Sequence, residues 1–318
     1  MRTKFFSIAA ILLILTASCR KDTVIPTTEE DCYFFGSSSS ALGFQFSFPQ
    51  SWYRTPCFNP SNNDQFIYVR EDKQNPGITE LHRRTISTAA DVILLTGVMD
   101  IPQWHANGWI LLTRNDNLIW KIKANGDSLT QLTFDGMNLG ARWSPAGDKF
   151  VYRKAVGSTS YAIIANAQGI SLDTLAGFIP EYGDWSPDGT KLCSVVGAGS
   201  GSIAYYDFST GQAINVATVP SGEFVLRAYW QRDSRTICWN TRKGVYKTDI
   251  NTHSTIRMLN SCDSKLWWTF QFSGNGQKII WERNNSRLTG NDHNTIYQED
   301  FIYISNADGT AQEKINIQ

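Results

Sequence analysis

Six times along this chain an aromatic residue leads into a polar turn built on Ser, Pro, Asp or Gly, and the turn leads into a short β-branched strand. The fullest copies are Trp143-Ser144-Pro145-Ala146-Gly147 and Trp185-Ser186-Pro187-Asp188-Gly189. Reduced copies begin at Phe58, Trp104, Trp230 and Phe272, so successive aromatics are 46, 39, 42, 45 and 42 residues apart. A period of that size means a stacked array or a propeller, in which each unit buries its faces only against its neighbours. The repeat also organises the whole length as one array, where 318 residues alone would allow one domain or two.

Each unit divides into four strands. The box is the first strand and its turn, and a second strand follows at once, as in Lys149-Phe150-Val151-Tyr152 or Lys278-Ile279-Ile280-Trp281. Third strands are expected at Leu118 to Ile122 and Phe301 to Ile304, for example, and fourth strands at Leu129 to Leu132 and Glu313 to Ile317. Eleven Trp, with many Phe and Tyr, suit such pleated, half-buried surfaces. Turns between third and fourth strands, such as Asn125-Gly126 and Asp308-Gly309, place Gly where a hairpin needs positive φ. Gly43 to Phe48 alternates, with Phe44, Phe46 and Phe48 on one face, and reads as one more strand.

The W-S-P-D-G box followed by an apolar strand resembles the WD-like repeats of the TolB family of periplasmic propellers, over roughly Trp52 to Gln318. The resemblance implies an all-β fold: a six-bladed β-propeller of four-stranded antiparallel blades. Blades would start near residues 52, 100, 139, 181, 226 and 268 of a domain spanning 43–318. Radial repetition would also protect the edges of such apolar strands. The Phe44 to Phe48 strand is then either an extra edge strand or the latch that closes the ring.

Residues 1–18 read as a signal peptide. Arg2 and Lys4 precede an apolar run from Phe5 to Leu15, which is short for a membrane span. Leu15-Thr16-Ala17-Ser18-Cys19 resembles the lipobox of bacterial lipoproteins, which implies a lipidated Cys19 as the mature N-terminus. Arg20-Lys21-Asp22 after it looks like lipoproteins of Bacteroidetes. Residues 19–42 are polar, with Glu29-Glu30-Asp31 and a Ser run at 37–40, and read as a tether to the membrane. Asp22-Thr23-Val24 also fits a short O-glycosylation pattern of that group. The expected location is the cell envelope, at the outer membrane, facing either the periplasm or the surface.

Charge balances at 29 basic and 29 acidic residues, so a polyanion held by net charge, nucleic acid above all, is not an expected partner. Five cysteines remain beside Cys19, with no C-x-x-C pair. Cys193 and Cys238 fall at matching strand positions and read as small buried hydrophobes. An oxidising envelope would permit a bridge between Cys32 and Cys57.

In a propeller the loops before each first strand and those between second and third strands share one face. That face would collect Glu181, Tyr182, Arg227, Trp267 and the long segment Arg283 to Thr295 with His293, and Arg142 and Asp184 would stand near the funnel. These seven residues, Arg142, Glu181, Tyr182, Asp184, Arg227, Trp267 and His293, are the candidate ligand-binding set. Of the pair Trp267-Trp268, one ring would pack between blades and the other would be free to stack on a sugar or a peptide side chain. The four His are scattered over both faces, which does not suit a metal site, and no cofactor is expected. Gly197 to Gly201 is glycine-rich but joins two strands, with no helix to present its amides to a phosphate. No G-x-S-x-G elbow occurs, which disfavours a propeller with an appended peptidase. The leading expectation is a monomeric, non-catalytic binding module for an envelope protein or glycan. The alternative is a polysaccharide- or cell-wall-active enzyme using acids such as Glu181 and Asp184 at the funnel.

Overall fold

The computed structural model describes residues 45–99, 101–175, 178, 183–196, 201–262, 264–289 and 295–317. After β1 (Gln45–Ser47) the chain builds six sheets in sequence order. Blade 1 is β2 (Ser51–Asn59), β3 (Asn62–Asp72), β4 (Thr79–Thr85) and β5 (Asp91–Thr96). Blade 2 is β6 (Gln103–Trp104), β7 (Trp109–Thr113), β8 (Ile119–Lys123) and β9 (Thr130–Gln131). Blade 3 is β10 (Met137–Trp143), β11 (Lys149–Val156), β12 (Thr159–Asn166) and β13 (Ser171–Leu175). Blade 4 is β14 (Asp184–Trp185), β15 (Lys191–Val196), β16 (Ser202–Asp207) and β17 (Gln212–Thr218). Blade 5 is β18 (Val225–Trp230), β19 (Thr236–Thr241), β20 (Gly244–Asp249) and β21 (Thr255–Asn260). Blade 6 holds β22 (Leu266–Phe272), β23 (Lys278–Thr289), β24 (Thr295–Asn306) and β25 (Glu313–Lys314).

Every blade is an antiparallel meander, as the repeat predicted, and the fold is a six-bladed β-propeller. The core confirms the ring. Six buried clusters each join two neighbouring blades, and the box aromatic always sits in the cluster between its own blade and the one before. Trp143 packs with Leu111 and Ile119, Trp185 with Val151 and Ile164, Trp230 with Cys193 and Ile203, and Phe272 with Tyr229 and Cys238. Phe58 of blade 1 packs with Ile280 and Ile302 of blade 6, which closes the circle through side chains.

The N-terminal strand is an extra edge strand. β1 pairs parallel to the start of β24, Gln45 opposite Thr295, while β25 pairs antiparallel to its other half. Two short strands thus share the outer edge of the last blade, one from each end of the described chain. The expected long loop from Arg283 to Thr295 is instead mostly hairpin. β23 and β24 stay paired from Lys278 and Asn306 out to Thr289 and Thr295, because Ile296 and Ile302 are apolar positions that the extended ladder buries.

The boxes explain the local geometry. In the copy at Trp185, Ser186 N donates to Lys191 O and Gly189 N to Ser186 O, closing the hairpin. The Ser186 hydroxyl donates to Asp188 and accepts from Lys191 N at 2.9 Å. Gly189 takes φ 72°, as the turn requires. In the fifth box Ser234 stands in the Gly position, at φ 51°, and its hydroxyl accepts from Asp188 N of blade 4 at 3.1 Å.

Candidate functional site

First strands line the centre of a propeller, and the residue just before each box aromatic points the sequence inward. Those six positions are Cys57, Gln103, Arg142, Asp184, Tyr229 and Gln271. All but Arg142 line a cavity of about 160 Å³ whose remaining wall is made by the boxes and their turns, among them Pro60, His105, Pro145, Pro187 and Arg232. The cavity therefore opens on the face of the first-to-second turns, opposite to the loop face on which the sequence reading placed its site. The box both wedges the blades apart and forms the wall of this funnel.

Arg142 is 2% exposed and donates to the carbonyls of Ile101, at 3.2 Å, and Ala141, at 2.9 Å. A bulge between Leu139 and Arg142 sets its direction. Burial pushes the Asp184 carboxyl above the usual carboxylate range, against the opposing pull of the Arg142 and Arg232 guanidiniums and an amide bond from Trp185. Burial likewise raises the Tyr229 hydroxyl, and it pushes the Cys57 thiol up to about 12, so that this thiol is a packing group at neutral pH. Gln103 accepts a hydrogen bond from Trp143 N across blades 2 and 3. The funnel thus offers one carboxyl, the Arg232 guanidinium, two carboxamides and aromatic edges within a small space, a set suited to holding a polar group by several directional bonds.

A second, smaller cavity of about 80 Å³ lies on the loop face, lined by Arg54, Thr55, Met99, Ile101 and Arg227. Arg227 stands at a bulge in β18 and donates to Leu226 O at 2.6 Å. The structure therefore splits the candidate set: Asp184 at the funnel with Arg142 beside it, and Arg227 at the opposite mouth. Glu181, Tyr182, His293 and Cys19 lie outside the described residues. Trp267 serves neither cavity. It is 3% exposed, packed on Trp281 at 5.0 Å between ring centroids and on Arg283, and it donates to Asn260 O, so no face remains for a ligand.

The described histidines do not converge, and no described group of His, Cys, Asp and Glu has the arrangement of a metal site. His82 is buried in blade 1 between Asp91, at 2.7 Å, and Glu80, at 3.2 Å, and stacks on Tyr68. Glycoside hydrolysis needs two carboxyl groups facing a cleft. The funnel's described lining holds one, Asp184.

Cys57 is a buried free thiol, so the permitted bridge to Cys32 is not made. Its place is taken by a hydrogen bond from Trp104 N to its sulfur at 3.3 Å. Cys193 and Cys238 are free and buried, as expected. Cys262 is disulfide-bonded.

Comparison with solved structures places this geometry among known propellers. A putative TolB from Agrobacterium tumefaciens matches with a TM-score of 0.58 at 17% identity, over 73% of this chain and 86% of that one. TolB from Acinetobacter baumannii gives a TM-score of 0.40 at 18% identity, and a prolyl endopeptidase gives 0.51 at 12%. This chain covers 54% and 43% of those two chains. At such identities the likeness is one of fold. No family model matches the sequence. No curated protein matches it.

Proposed function

We propose that this protein is a lipid-anchored binding module of a bacterial cell envelope, which takes a protein or glycan group into the funnel on its box-turn face. The observation that carries the reading is the funnel itself: a central cavity with a wall contributed by all six blades and a mixed set of hydrogen-bonding groups. A rigid ring positions such groups with little loss of freedom on binding. The lipobox at Cys19 and the polar segment after it support the anchor, and outer-membrane placement follows that lipoprotein pattern. The disulfide at Cys262 fits an oxidising compartment.

A photo-crosslinking side chain at Ala106, an exposed position on the funnel wall, tests the binding face in intact envelopes. A reproducible adduct is expected there, and one weakened by Arg232→Glu. Absence of any adduct, together with turnover of an envelope polysaccharide, would sink the reading. For the anchor, Cys19→Ala is expected to move the protein to the soluble fraction, since stable attachment needs the buried acyl chains. Retention of that variant on membranes would refute lipidation as the anchor.

A further inference from the structure

Apart from the funnel and the small loop-face cavity, a larger cavity lies at the outer edge of the seam between blades 6 and 1. Its volume is about 420 Å³, within the range that holds a small organic molecule. The chain's own chemistry leaves this space. β1 pairs with β24 only as far as Tyr297, and Pro49, which has no N–H to give a ladder, follows where the chain turns away to blade 1. Ile315 and β25 take up the same edge only from Ile302 onward. Glu299, Asp300 and Phe301 are therefore left between two short strands, and they line the cavity together with Pro49, Tyr53 and Ile317.

The charges around this space pair off, with one left over. Glu71 holds Arg54 at 2.8 Å and Lys73 at 2.9 Å, and Arg54 also lies 3.7 Å from Glu282, so two acids meet two cations. Arg70, on the cavity wall, is committed to Glu80 at 3.0 Å and to Ser51 Oγ at 3.1 Å. Behind it His82 stands between Glu80 and Asp91, and Asp91 holds Arg84. Glu299 and Lys314 attract each other along the same edge. Asp300 makes no ion pair among the described residues. It is 4% exposed, Asn284 Nδ2 donates to its Oδ1 at 2.8 Å, and its Oδ2 receives no hydrogen bond from a described residue. Burial and the charge of Glu282, with Glu71 beyond it, push this carboxyl up to about 7 against the pull of Arg54. A proton neutralises the group at acid pH, and a cation from outside does the same.

We propose that the seam cavity binds a primary alkylammonium group, with the ammonium on Asp300 and the alkyl stem against Pro49, Tyr53 and Ile317. An ammonium brings three donors. Ile302 O points to the outer side of β24, where it accepts from Ile315, so by the two-residue alternation of a strand Asp300 O points there too and offers a second acceptor. A ligand carboxylate would find only Arg70, already held by Glu80, and would face Asp300 and Glu299. Binding favours the ionised Asp300, so affinity falls by up to about tenfold for each pH unit below 7. The site is independent of the funnel and of any membrane anchor.

The test follows the Asp300 carboxyl by NMR in full-length protein with isotopically labelled aspartate carboxyls, the resonance being assigned by its loss in Asp300→Asn. Butylammonium should lower the midpoint of its titration by about 1–3 pH units, and butanol or sodium chloride at equal concentration should not. Gln50→Trp, at an exposed position on the rim, fills the mouth and leaves the carboxyl in place. That variant should keep the high midpoint and lose the response. Nα-acetyl-lysine methylamide distinguishes the sources: an equal fall with this probe supports a partner's lysine side chain, and a fall with butylammonium alone supports a free amine. A midpoint that butylammonium does not move, that sodium chloride moves equally, or that still moves in Gln50→Trp overturns the proposal. A response to butyrate in place of butylammonium makes the cavity an anion site at Arg70 and overturns it as well.

Discussion

Glu282 and Asp300 place two carboxyl groups inside the seam where the last blade meets the first, 1% and 4% exposed. Glu282 is the better served. It accepts from Thr269 Oγ1 at 2.9 Å and, across the seam, from the amide of Thr55 at 2.8 Å, with the Arg54 guanidinium 3.7 Å away. Thr55 sits at φ 49° in the bulge of β2, so the carboxylate holds a strained turn of blade 1 from blade 6. Asp300 receives Asn284 Nδ2 at 2.8 Å, and burial, helped by the negative charge of Glu282, pushes its carboxyl up to about 7. A carboxyl raised in the folded state stabilises fully only below its ordinary range near pH 4, and that contribution is lost as pH rises through 7. The protein should therefore lose about 2–4 kcal/mol from this site between pH 4 and pH 8. Asp300→Asn keeps the acceptor for Asn284 and removes the titration, so its unfolding midpoint in urea should fall much less over that range. Parallel declines in the two proteins would mean that Asp300 is not the group responsible. Nothing at Glu282 or Asp300 betrayed this in the sequence, because Thr55 and Arg54, which complete the setting across the seam, come from a strand more than two hundred residues away.

At the scale of the element, the box turns form a belt around the funnel. His105 Nε2 lies 3.0 Å from Pro145 O, Asp188 N donates to Ser234, and Arg232 Nε donates to Ser273 O at 3.3 Å, so blade 2 meets 3, 4 meets 5 and 5 meets 6. The belt closes where Gly274 lies against Pro60, so near that a Cβ on Gly274 would stand 1.8 Å from the Pro60 carbonyl oxygen. Backbone on both sides leaves nothing soft to yield. Gly274→Ala should cost at least about 2–3 kcal/mol. Gly189→Ala meets no atom closer than 3.8 Å and should cost only the roughly 1 kcal/mol of its positive φ. Thermal melts of the two variants check the difference, and equal losses would show that the belt gives way freely at Pro60. The spacing and chemistry of the boxes made the blades legible, since local turn rules and strand periodicity act within a few residues. The funnel was only half legible. Arg142 and Asp184 stood out as charges, but Gln103, Tyr229 and Gln271 gained their meaning only when the ring set the position before each aromatic at its centre. Trp267 misled for the converse reason, since exposure is a property of the packed blade and Trp281 and Arg283 pack against its ring.

For the whole molecule, the question left open by the sequence was what keeps the ring shut. The cluster of Phe58, Phe66, Tyr68, Ile280 and Ile302 joins blade 6 to blade 1 directly, and the two short edge strands reinforce it unequally. β1 contributes three residues in parallel pairing, with Phe46 and Phe48 each more than a third exposed. The other end brings Ile315 and Ile317 against the seam cluster, Ile315 N donates to Ile302 O at 2.8 Å, and Arg84 reaches from blade 1 to Asn316 O at 2.7 Å. Arg84 also pairs with Asp91 at 3.1 Å, which fixes the guanidinium in place for that second bond. Two partly buried isoleucines and these bonds amount to roughly 3–5 kcal/mol, against about 1 kcal/mol for the exposed N-terminal pairing. Deleting residues 313–318 should therefore lower the urea midpoint several times more than deleting Gln45–Ser47. Because both deletions remove strands from the same edge of β24, the comparison isolates what each segment adds across the seam. A larger loss from the N-terminal deletion would make β1 the latch and leave the contacts of Ile315, Asn316 and Ile317 incidental to closure.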